Sequence, residues 1–428
     1  AAMTDAVARL VLHNCYRQTG ALSLMAAQAP RLLAEHVRQI RALEQAGRIV
    51  RDLDCLPDEA QFTARAAAGL GLTRPELAVL LAHAKLALDA ELAGSDLAED
   101  PAFEPLLARY FPEPLAARFP TQLRHHRLRR AILCNEMANE VLNRMGAGFA
   151  FRLADAEGVP AATAVRAYYA IRDSYDLDAL WGAIDALDGL VAADLQRAME
   201  VEVLRLAETG VGWLVHALDD AVPGAAAQSL AAQVRALDAT LEQLLPAAQW
   251  AALTARAAAL TGDGVPETLA GRIARLPALG AALAIAAVAR AAGMPLARAA
   301  ALHFELAAAV RFAHLQSALD DYAPRDGLEE RCRAGLRETG ERHLGALAVA
   351  VARADRPGLT AAEQVAAWLG ERAAARARLD TTLAELPTTG AGLIALTVAV
   401  QDLGLLAGTD ARVPLAPTPV PAAPATTL

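Results

Sequence analysis

Hydrophobic and polar residues follow one another along almost the whole chain with the three-to-four-residue spacing of amphipathic helices. Runs of β-branched residues alternating with polar ones, the pattern of a half-buried strand, are scarce. Helix start signals are frequent: Thr73 and Glu76 form a capping box, and Pro75 stands between them in the first turn. The sequence therefore predicts an all-α fold, a multi-helix bundle array.

Capping residues, prolines and glycines predict further boundaries. Asp100-Pro101 opens a helix, and Thr121 caps a long helix that ends at Gly146. Three later helices are expected to begin near Pro160, Asp178 and Val191. The second half is rich in alanine, and residues 409–428 are rich in Pro, Ala and Thr without any period, so we expect a disordered tail there.

One helix–turn–helix unit is used twice. A shift of 135 residues places Gly158-Val159-Pro160 on Gly293-Met294-Pro295 and Tyr169 on Phe304. The further matches in this register are Ile171 with Leu306, Leu180 with Leu315, and Ile184-Asp185 with Leu319-Asp320. Because few matched positions are polar, the duplication predicts a packing unit. A chance match between alanine-biased segments is the alternative.

The apolar content reflects alanine, not a membrane-spanning segment. Of the 428 residues, 55% are hydrophobic but only 4% are aromatic, and alanine is the best helix former. No stretch reaches the run of about 18 strongly apolar residues that a spanning helix needs. Residues 278–292 come closest, but Arg290 and the Gly293-Met294-Pro295 stop interrupt them. We expect a buried helix there and no membrane partner.

The net charge and the spacing of the cysteines argue against several classes of function. A net charge of −9 supplies no domain-wide positive field for nucleic acid. The four cysteines lie far apart: Cys15, Cys55, Cys134 and Cys332. This spacing argues against a zinc site or a disulfide framework and suits a reducing cytoplasm. The chain begins with Ala1-Ala2-Met3, in a segment that already has a helical pattern, and the sequence shows no signal peptide. We therefore expect this chain to be a piece of a longer cytoplasmic protein.

Few residues in the sequence indicate a catalytic role. The one match to a dinucleotide-binding glycine motif, Gly390-Ala391-Gly392-Leu393-Ile394-Ala395, follows a helix instead of a strand and is interpreted as a helix cap. Lys85 is the only lysine. Its place inside an amphipathic helix favours a solvating role or an ion pair with Asp89 at i+4.

A basic cluster spans residues 124–130. On one continuous helix, Arg127, Arg130 and their neighbours would spread around most of the circumference, without aromatic residues for base stacking. A phosphate or nucleic-acid patch is one interpretation; salt bridges from the helix surface to a neighbouring domain are favoured. His125 and His126 are adjacent and point in different directions, which does not suit a pair of metal ligands on a helix.

Asparagines form a polar stripe after this cluster, because Asn135, Asn139 and Asn143 recur at every fourth position. Asparagine is a poor helix former, so three on one face indicate hydrogen bonds to a neighbouring helix, another domain or a ligand. A structural contact is favoured. Together with Arg127 and Arg130, these residues are the predicted interdomain contact.

Two blocks carry a resemblance to a known family. Residues 71–86 read Gly-Leu-Thr-Arg-Pro-Glu-Leu-Ala-Val-Leu-Leu-Ala-His-Ala-Lys-Leu, and residues 111–146 end in Asn-Glu-Val-Leu-Asn-Arg-Met-Gly. Weaker similarity covers residues 14–24, 149–153, 166–168, 177–187 and 393–403. In these segments the chain resembles the C-terminal region of the large bacterial NAD-specific glutamate dehydrogenases.

The resemblance implies a helical structural and oligomerisation region of an enzyme that converts L-glutamate to 2-oxoglutarate and ammonia with NAD. That family uses active-site lysines in a Gly-rich setting, and Lys85 has no such neighbourhood. NAD and the catalytic residues would therefore belong to the parent enzyme upstream of residue 1. No catalytic, cofactor-binding or metal-binding residue is assigned to this chain, and the isolated chain is expected to be inactive.

The resemblance also implies a domain organisation and partners. Residues 1–70 would be a helical connection from the catalytic domain, and residues 71–220 a helical domain with the family blocks. The boundary near residue 220 rests on a shift in composition instead, because residues 221–408 are dominated by alanine and are expected to form an alanine-rich helical domain. The expected partners are the catalytic domain of the same polypeptide and further copies in a homo-oligomer, with no nucleic acid and no membrane. The alternative is a stand-alone all-helical scaffold or partner-binding protein.

Overall fold

The computed structural model describes residues 2–217, 224–386 and 390–407. Within these ranges every regular element is helical and no β-strand occurs, which confirms the predicted all-α fold. The predicted disordered tail, residues 409–428, lies outside the described residues.

The first half of the described chain contains eleven α-helices and two short 3-10 helices. The α-helices are α1 (Ala2–Gln45), α2 (Glu59–Ala67), α3 (Arg74–Ala93), α4 (Glu104–Tyr110), α5 (Glu113–Arg118), α6 (Pro120–Arg124), α7 (Arg129–Met145), α8 (Phe149–Glu157), α9 (Ala161–Ser174), α10 (Leu177–Asp185) and α11 (Ala193–Ala217). The 3-10 helices, Leu97–Glu99 and Pro101–Phe103, lie between α3 and α4.

The described residues of the second half form ten α-helices. They are α12 (Gly224–Leu244), α13 (Ala247–Gly262), α14 (Glu267–Leu279), α15 (Ala282–Ala292), α16 (Leu296–Ala309), α17 (Phe312–Asp321), α18 (Gly327–Arg353), α19 (Ala361–Gly370), α20 (Ala373–Glu385) and α21 (Leu393–Ala407). The longest helix of the described chain is α1, with 44 residues.

The start of α3 shows how local sequence sets a boundary. Thr73 is the N-cap residue, and its backbone N–H donates to the Glu76 carboxylate at 2.7 Å, which confirms the predicted capping box. In the same turn, Arg74 donates to the Ser23 hydroxyl at 2.9 Å and to the Thr19 carbonyl at 3.1 Å. The first turn of α3 is therefore also a contact with α1.

The single helix expected between Thr121 and Gly146 is two helices, so the predicted Thr121 cap is wrong. The residues between α6 and α7 form a turn in which histidine rings bond to the backbone. The His125 ring Nδ1 lies 2.9 Å from the Thr121 carbonyl oxygen, and the Leu128 N–H donates to His126 Nδ1 at 3.2 Å. The predicted end at Gly146 is confirmed, and its φ of +82° is one that glycine adopts readily.

The duplicated unit is confirmed. Gly158 and Gly293 each end a helix in the left-handed conformation, with φ of +66° in both. The helices that follow, α9 and α16, have 14 residues each. A non-glycine residue in the left-handed region then precedes the next helix in both units: Asp176 with φ of 53° and Arg311 with φ of 50°.

The repeat is longer than the sequence predicted. In the same register, α7 and α8 correspond to α14 and α15, and α11 corresponds to α18, so five consecutive helices recur. Tyr168 and His303 hold equivalent buried positions. The polar partners differ, because the position equivalent to Glu140 is Arg275, which instead pairs with Asp238 on α12 at 2.6 Å. The two units share packing and have diverged in buried chemistry.

The two units pack around a shared core. Buried apolar side chains from Ala21 to Leu406 form one continuous cluster. Helix α12 contacts α9 of the first unit and α16 of the second, while α19 packs on α16 and α21 packs on α18. The boundary predicted at residue 220 lies outside the described residues and stays a prediction.

Membrane-spanning potential is limited to one helix pair. Across the described ranges, no single helix has both the length and the apolar composition needed to cross a bilayer; α14 and α15 meet these requirements only jointly, with a bend of 46° between them. Leu283, Ile285 and Val288 of α15 are buried within the protein, as expected for this segment.

Candidate functional site

Helix α1 has two halves with different surroundings. Its second half packs into the core through residues such as Ala21 and Met25, each 3% exposed. Its first half carries exposed apolar side chains: Met3 is 39% exposed, Val7 45% and Val11 55%. At 100° per residue these three residues lie on the same side of the helix as Ala21 and Met25. The apolar face of α1 therefore continues beyond the part that the described core covers.

A buried charge pair marks the place where α1 enters the bundle. The Arg17 guanidinium forms an ion pair with Glu140 on α7, and the Tyr168 hydroxyl on α9 donates to the same carboxylate at 3.1 Å. Burial alone would raise the pKa of Glu140, but the charge and hydrogen bond of Arg17, together with the charges of Arg144 and Arg172, hold that pKa below its usual value. The contact fixes α1 to the first repeat unit.

A small polar cleft of about 30 Å³, large enough for a water molecule, lies beside this pair. Arg144 forms its wall, with its guanidinium 3.1 Å from Asp185 and 5.0 Å from the centre of the Trp181 ring. Glu200 closes the cleft from α11, and burial, aided by the Asp185 charge, raises the pKa of Glu200 to about 7. The cleft joins α1 to α7, α10 and α11.

A second buried network holds the turn between α7 and α8. Arg152 donates to both carboxylate oxygens of Glu35 at 2.8 Å and to Glu208 at 2.6 Å. Glu35 is 2% exposed, and Arg152 holds its pKa below the ordinary value although burial acts in the opposite direction. A Cβ on Gly148 would lie 1.8 Å from Glu35 Oε1. Glycine is therefore required for this close approach.

Lys85 on α3 has no counter-charge. No hydrogen bond or ion pair joins it to another described residue. Of the two roles that the sequence left open, the ion pair with Asp89 is therefore not formed. Burial and, to a smaller degree, the nearby Arg17 charge lower the pKa of Lys85 to about 8. Burial also raises the pKa of Asp89 and of Glu136. All three groups are half-buried with their charged forms disfavoured, and Lys85 and Glu136 lie close enough to Arg17 to be affected by its charge.

The asparagine stripe runs from the surface into the interior. Asn135 is exposed, Asn139 is half-buried and donates to the Asn135 side chain at 3.0 Å, and Asn143 is 8% exposed. The Asn143 Oδ1 atom has no hydrogen-bond partner among the described residues. It lies on the wall of the cleft. Contact of this stripe with another domain stays a prediction.

The two arginines of the predicted contact differ. Arg127 is exposed in the turn between α6 and α7. Arg130 donates to the Ala93 carbonyl at 3.1 and 2.7 Å and to the Ser95 carbonyl at 2.5 Å, and so caps the C-terminus of α3. An interdomain role for Arg127 and Arg130 stays a prediction, although Arg130 already has partners inside the chain.

The glycine motif has the helical context that the sequence indicated. Gly392 immediately precedes α21, and its carbonyl accepts the first helical hydrogen bond, from the Leu396 N–H at 3.1 Å. Among residues 2–217, 224–386 and 390–407, no group of three His, Cys, Asp or Glu side chains is placed to hold a metal ion.

Comparison with known proteins assigns the family. Residues 69–404 match the family model described as "Glutamate dehydrogenase, C-terminal". The chain belongs to this family. The glutamate dehydrogenase C-terminal match runs from just before α3 into α21 and contains both copies of the repeated unit.

Individual relatives extend the match to α1. The chain is 32% identical over 411 residues to an NAD-specific glutamate dehydrogenase of Halomonas elongata, covering 96% of this chain and 26% of that protein. The protein of the same name from Mycobacterium tuberculosis is 31% identical over 412 residues, which cover 96% of this chain and 25% of that protein. The one from Pseudomonas aeruginosa is 30% identical over 385 residues, which cover 90% of this chain and 24% of that protein. The chain spans about a quarter of the length of these curated relatives.

Sequence reasoning missed the residues that organise the site. Arg17 and Glu140 are 123 positions apart, and Glu35 and Arg152 are 117 apart. Pairing across such distances leaves no periodic signal. The available hint was a charged residue at a helix position otherwise turned toward the core, such as Glu140 among the buried residues of α7.

Proposed function

We propose that this chain is the C-terminal helical region of an NAD-dependent glutamate dehydrogenase, in which it has a structural and oligomerisation role. The observation that carries the proposal is the match of nearly the whole chain to about a quarter of each NAD-specific relative. The parent enzyme would convert L-glutamate, NAD⁺ and water to 2-oxoglutarate, ammonia and NADH in the cytoplasm. NAD and the reacting groups would belong to the rest of that polypeptide.

The geometry of the buried charges supports a structural role. Arg17 with Glu140, and Arg152 with Glu35, are paired inside the chain, and each pair joins α1 to a later helix. Buried charges that satisfy one another fix how helices pack. These residues hold the first repeat unit and α1 in one arrangement that a catalytic domain can pack against.

The predicted interdomain contact remains part of the proposal. Arg127 and Asn135 are exposed at the start of α7, where a neighbouring domain can reach them. Asn139 and Asn143 follow on the same stripe toward the cleft. Homo-oligomer formation through this region is proposed with it.

The coding sequence upstream of residue 1 tests the proposal. The proposal expects the reading frame to continue upstream into a Gly-rich α/β region that carries several lysines. A frame that begins near Met3, with no such region, would reject the enzyme assignment. A stand-alone helical scaffold would then be the better account.

A further inference from the structure

We infer that the first five turns of α1 and the polar cleft beside them form a docking face for the part of the polypeptide that precedes this region in the relatives. The docking face has two parts: the exposed apolar side chains Met3, Val7 and Val11, and the cleft lined by Tyr16 and the buried amide of Asn143. The inference rests on the proposed function, because its occupant is taken from the parent enzyme.

The apolar half of the docking face lacks the packing contacts that usually stabilise a helix. Residues 3–20 span about 27 Å at 1.5 Å per residue. Nearly all of these residues are exposed or half-buried, with Ala6 as the exception. Most helical stability in proteins comes from packing of an apolar face, and the apolar face of this segment is largely unpacked among the described residues. This segment therefore needs a cover that supplies apolar side chains.

The polar half of the docking face needs hydrogen-bonding groups. Asn143 Oδ1 and Arg17 Nε, on two residues that line the cleft, are buried without a hydrogen-bond partner among the described residues. A buried polar atom without a partner has lost its hydrogen bonds to water and gained none in return. A cover that meets both requirements carries apolar side chains next to polar groups, as a folded protein surface does and a lipid surface does not.

The preceding part of the polypeptide is the occupant that this arrangement favours. The relatives are about four times as long as the matched region, and the family match is to their C-terminal part. The preceding chain would therefore reach this region at the start of α1. A covalently joined partner has an effective concentration in the millimolar range, so it competes well against a separate second copy.

Hydrogen exchange and lysine labelling test the docking face directly. Lys85, the only lysine of this chain, lies near Arg17 and is a single-site reporter for an amine-acetylating reagent read by peptide mass spectrometry. We expect amides 3–18 to exchange at least about 100-fold more slowly in the complete polypeptide than in the 428-residue chain alone. Acetylation of Lys85 should slow in the same comparison, because a cover over the cleft restricts the access of the reagent.

Substitutions identify the surface. In the complete polypeptide, the double variant Val7→Asp, Val11→Asp should lose the protection of amides 3–18 and restore fast acetylation of Lys85. The matched control is Leu328→Asp on α18, where the side chain is 68% exposed, and it should leave both readouts unchanged.

Two outcomes would overturn the inference. Equal exchange of amides 3–18 in both forms would show that the preceding part does not cover α1. Protection in the chain alone that rises with protein concentration would make a second copy the occupant. Glutamate-dependent NAD⁺ reduction by the complete polypeptide is measured in parallel: activity without protection rejects the docking face alone, whereas absence of activity rejects the proposed function.

Discussion

Removing the Arg152 side chain should destabilise the protein strongly, because it isolates a buried carboxylate. Glu35 is 2% exposed and receives both of its strong hydrogen bonds from Arg152, at 2.8 Å each. Breaking a buried pair in this way costs about 3–5 kcal/mol. We therefore expect Arg152→Met to lower the free energy of unfolding by that amount at pH 7.

Urea unfolding followed by circular dichroism measures the effect. Arg235→Met is the matched control, since Arg235 is exposed on α12, and it should change the free energy of unfolding by less than about 0.5 kcal/mol. The double variant Glu35→Gln, Arg152→Met should recover much of the loss, because a buried amide costs about 1–3 kcal/mol. A coupling between the two positions near zero would refute this account of the network.

The stability difference between the wild type and Arg152→Met should also change with pH in a defined direction. In the wild type, Arg152 holds the pKa of Glu35 below 4.5, so the stability from the pair is present above pH 4.5 and is lost as the pH falls. In Arg152→Met, burial raises that pKa, and protonation relieves the penalty as the pH falls. The gap between wild type and variant should therefore narrow from pH 7 toward pH 4.5. A constant gap would contradict the assignment.

Three further predictions use the same unfolding assay. Gly148→Ala should cost about 1–3 kcal/mol because its Cβ would lie 1.8 Å from Glu35. The control Gly182→Ala, which has open space around it in α10, should stabilise the protein by about 0.5–1 kcal/mol. Tyr168→Phe should cost about 1–2 kcal/mol because a buried carboxylate loses a hydrogen-bond donor at 3.1 Å; no loss would show that the bond contributes little. Glu200 has a pKa raised to about 7, so its contribution to stability falls as the pH rises from 4.5 to 7. Glu200→Gln should flatten the dependence of stability on pH. The change should amount to about 1–2 kcal/mol between pH 5 and 8, because solvent reaches the carboxyl. An unchanged pH dependence would reject the assignment.

The sequence predicted the helices and the repeat because both depend on local pattern. The left-handed glycines and the N-cap prolines of the repeat are readable from residue type alone, and the structure extends the register to five helices. The helix expected from Thr121 failed because histidine rings bond to the backbone between α6 and α7. That competition depends on side-chain placement, which helical spacing does not encode.

The candidate site was less predictable than the fold. The asparagine stripe was visible as an i, i+4 pattern, but its passage from exposed Asn135 to buried Asn143 depends on how α1 packs against α7. The sequence also left open whether Lys85 is solvated or pairs with Asp89, because a carboxylate at i+4 favours pairing in an isolated helix. Tertiary burial decided both cases.

Glutamate-dependent NAD⁺ reduction tests the central claim most directly. The measurement compares the isolated 428-residue chain with the complete polypeptide that carries it, at equal molar concentration. The proposal predicts NADH formation by the complete polypeptide and none above a buffer control by the isolated chain, whose helical circular dichroism would show that it is folded. Turnover by the isolated chain, or its absence from the complete folded polypeptide, would contradict the proposal.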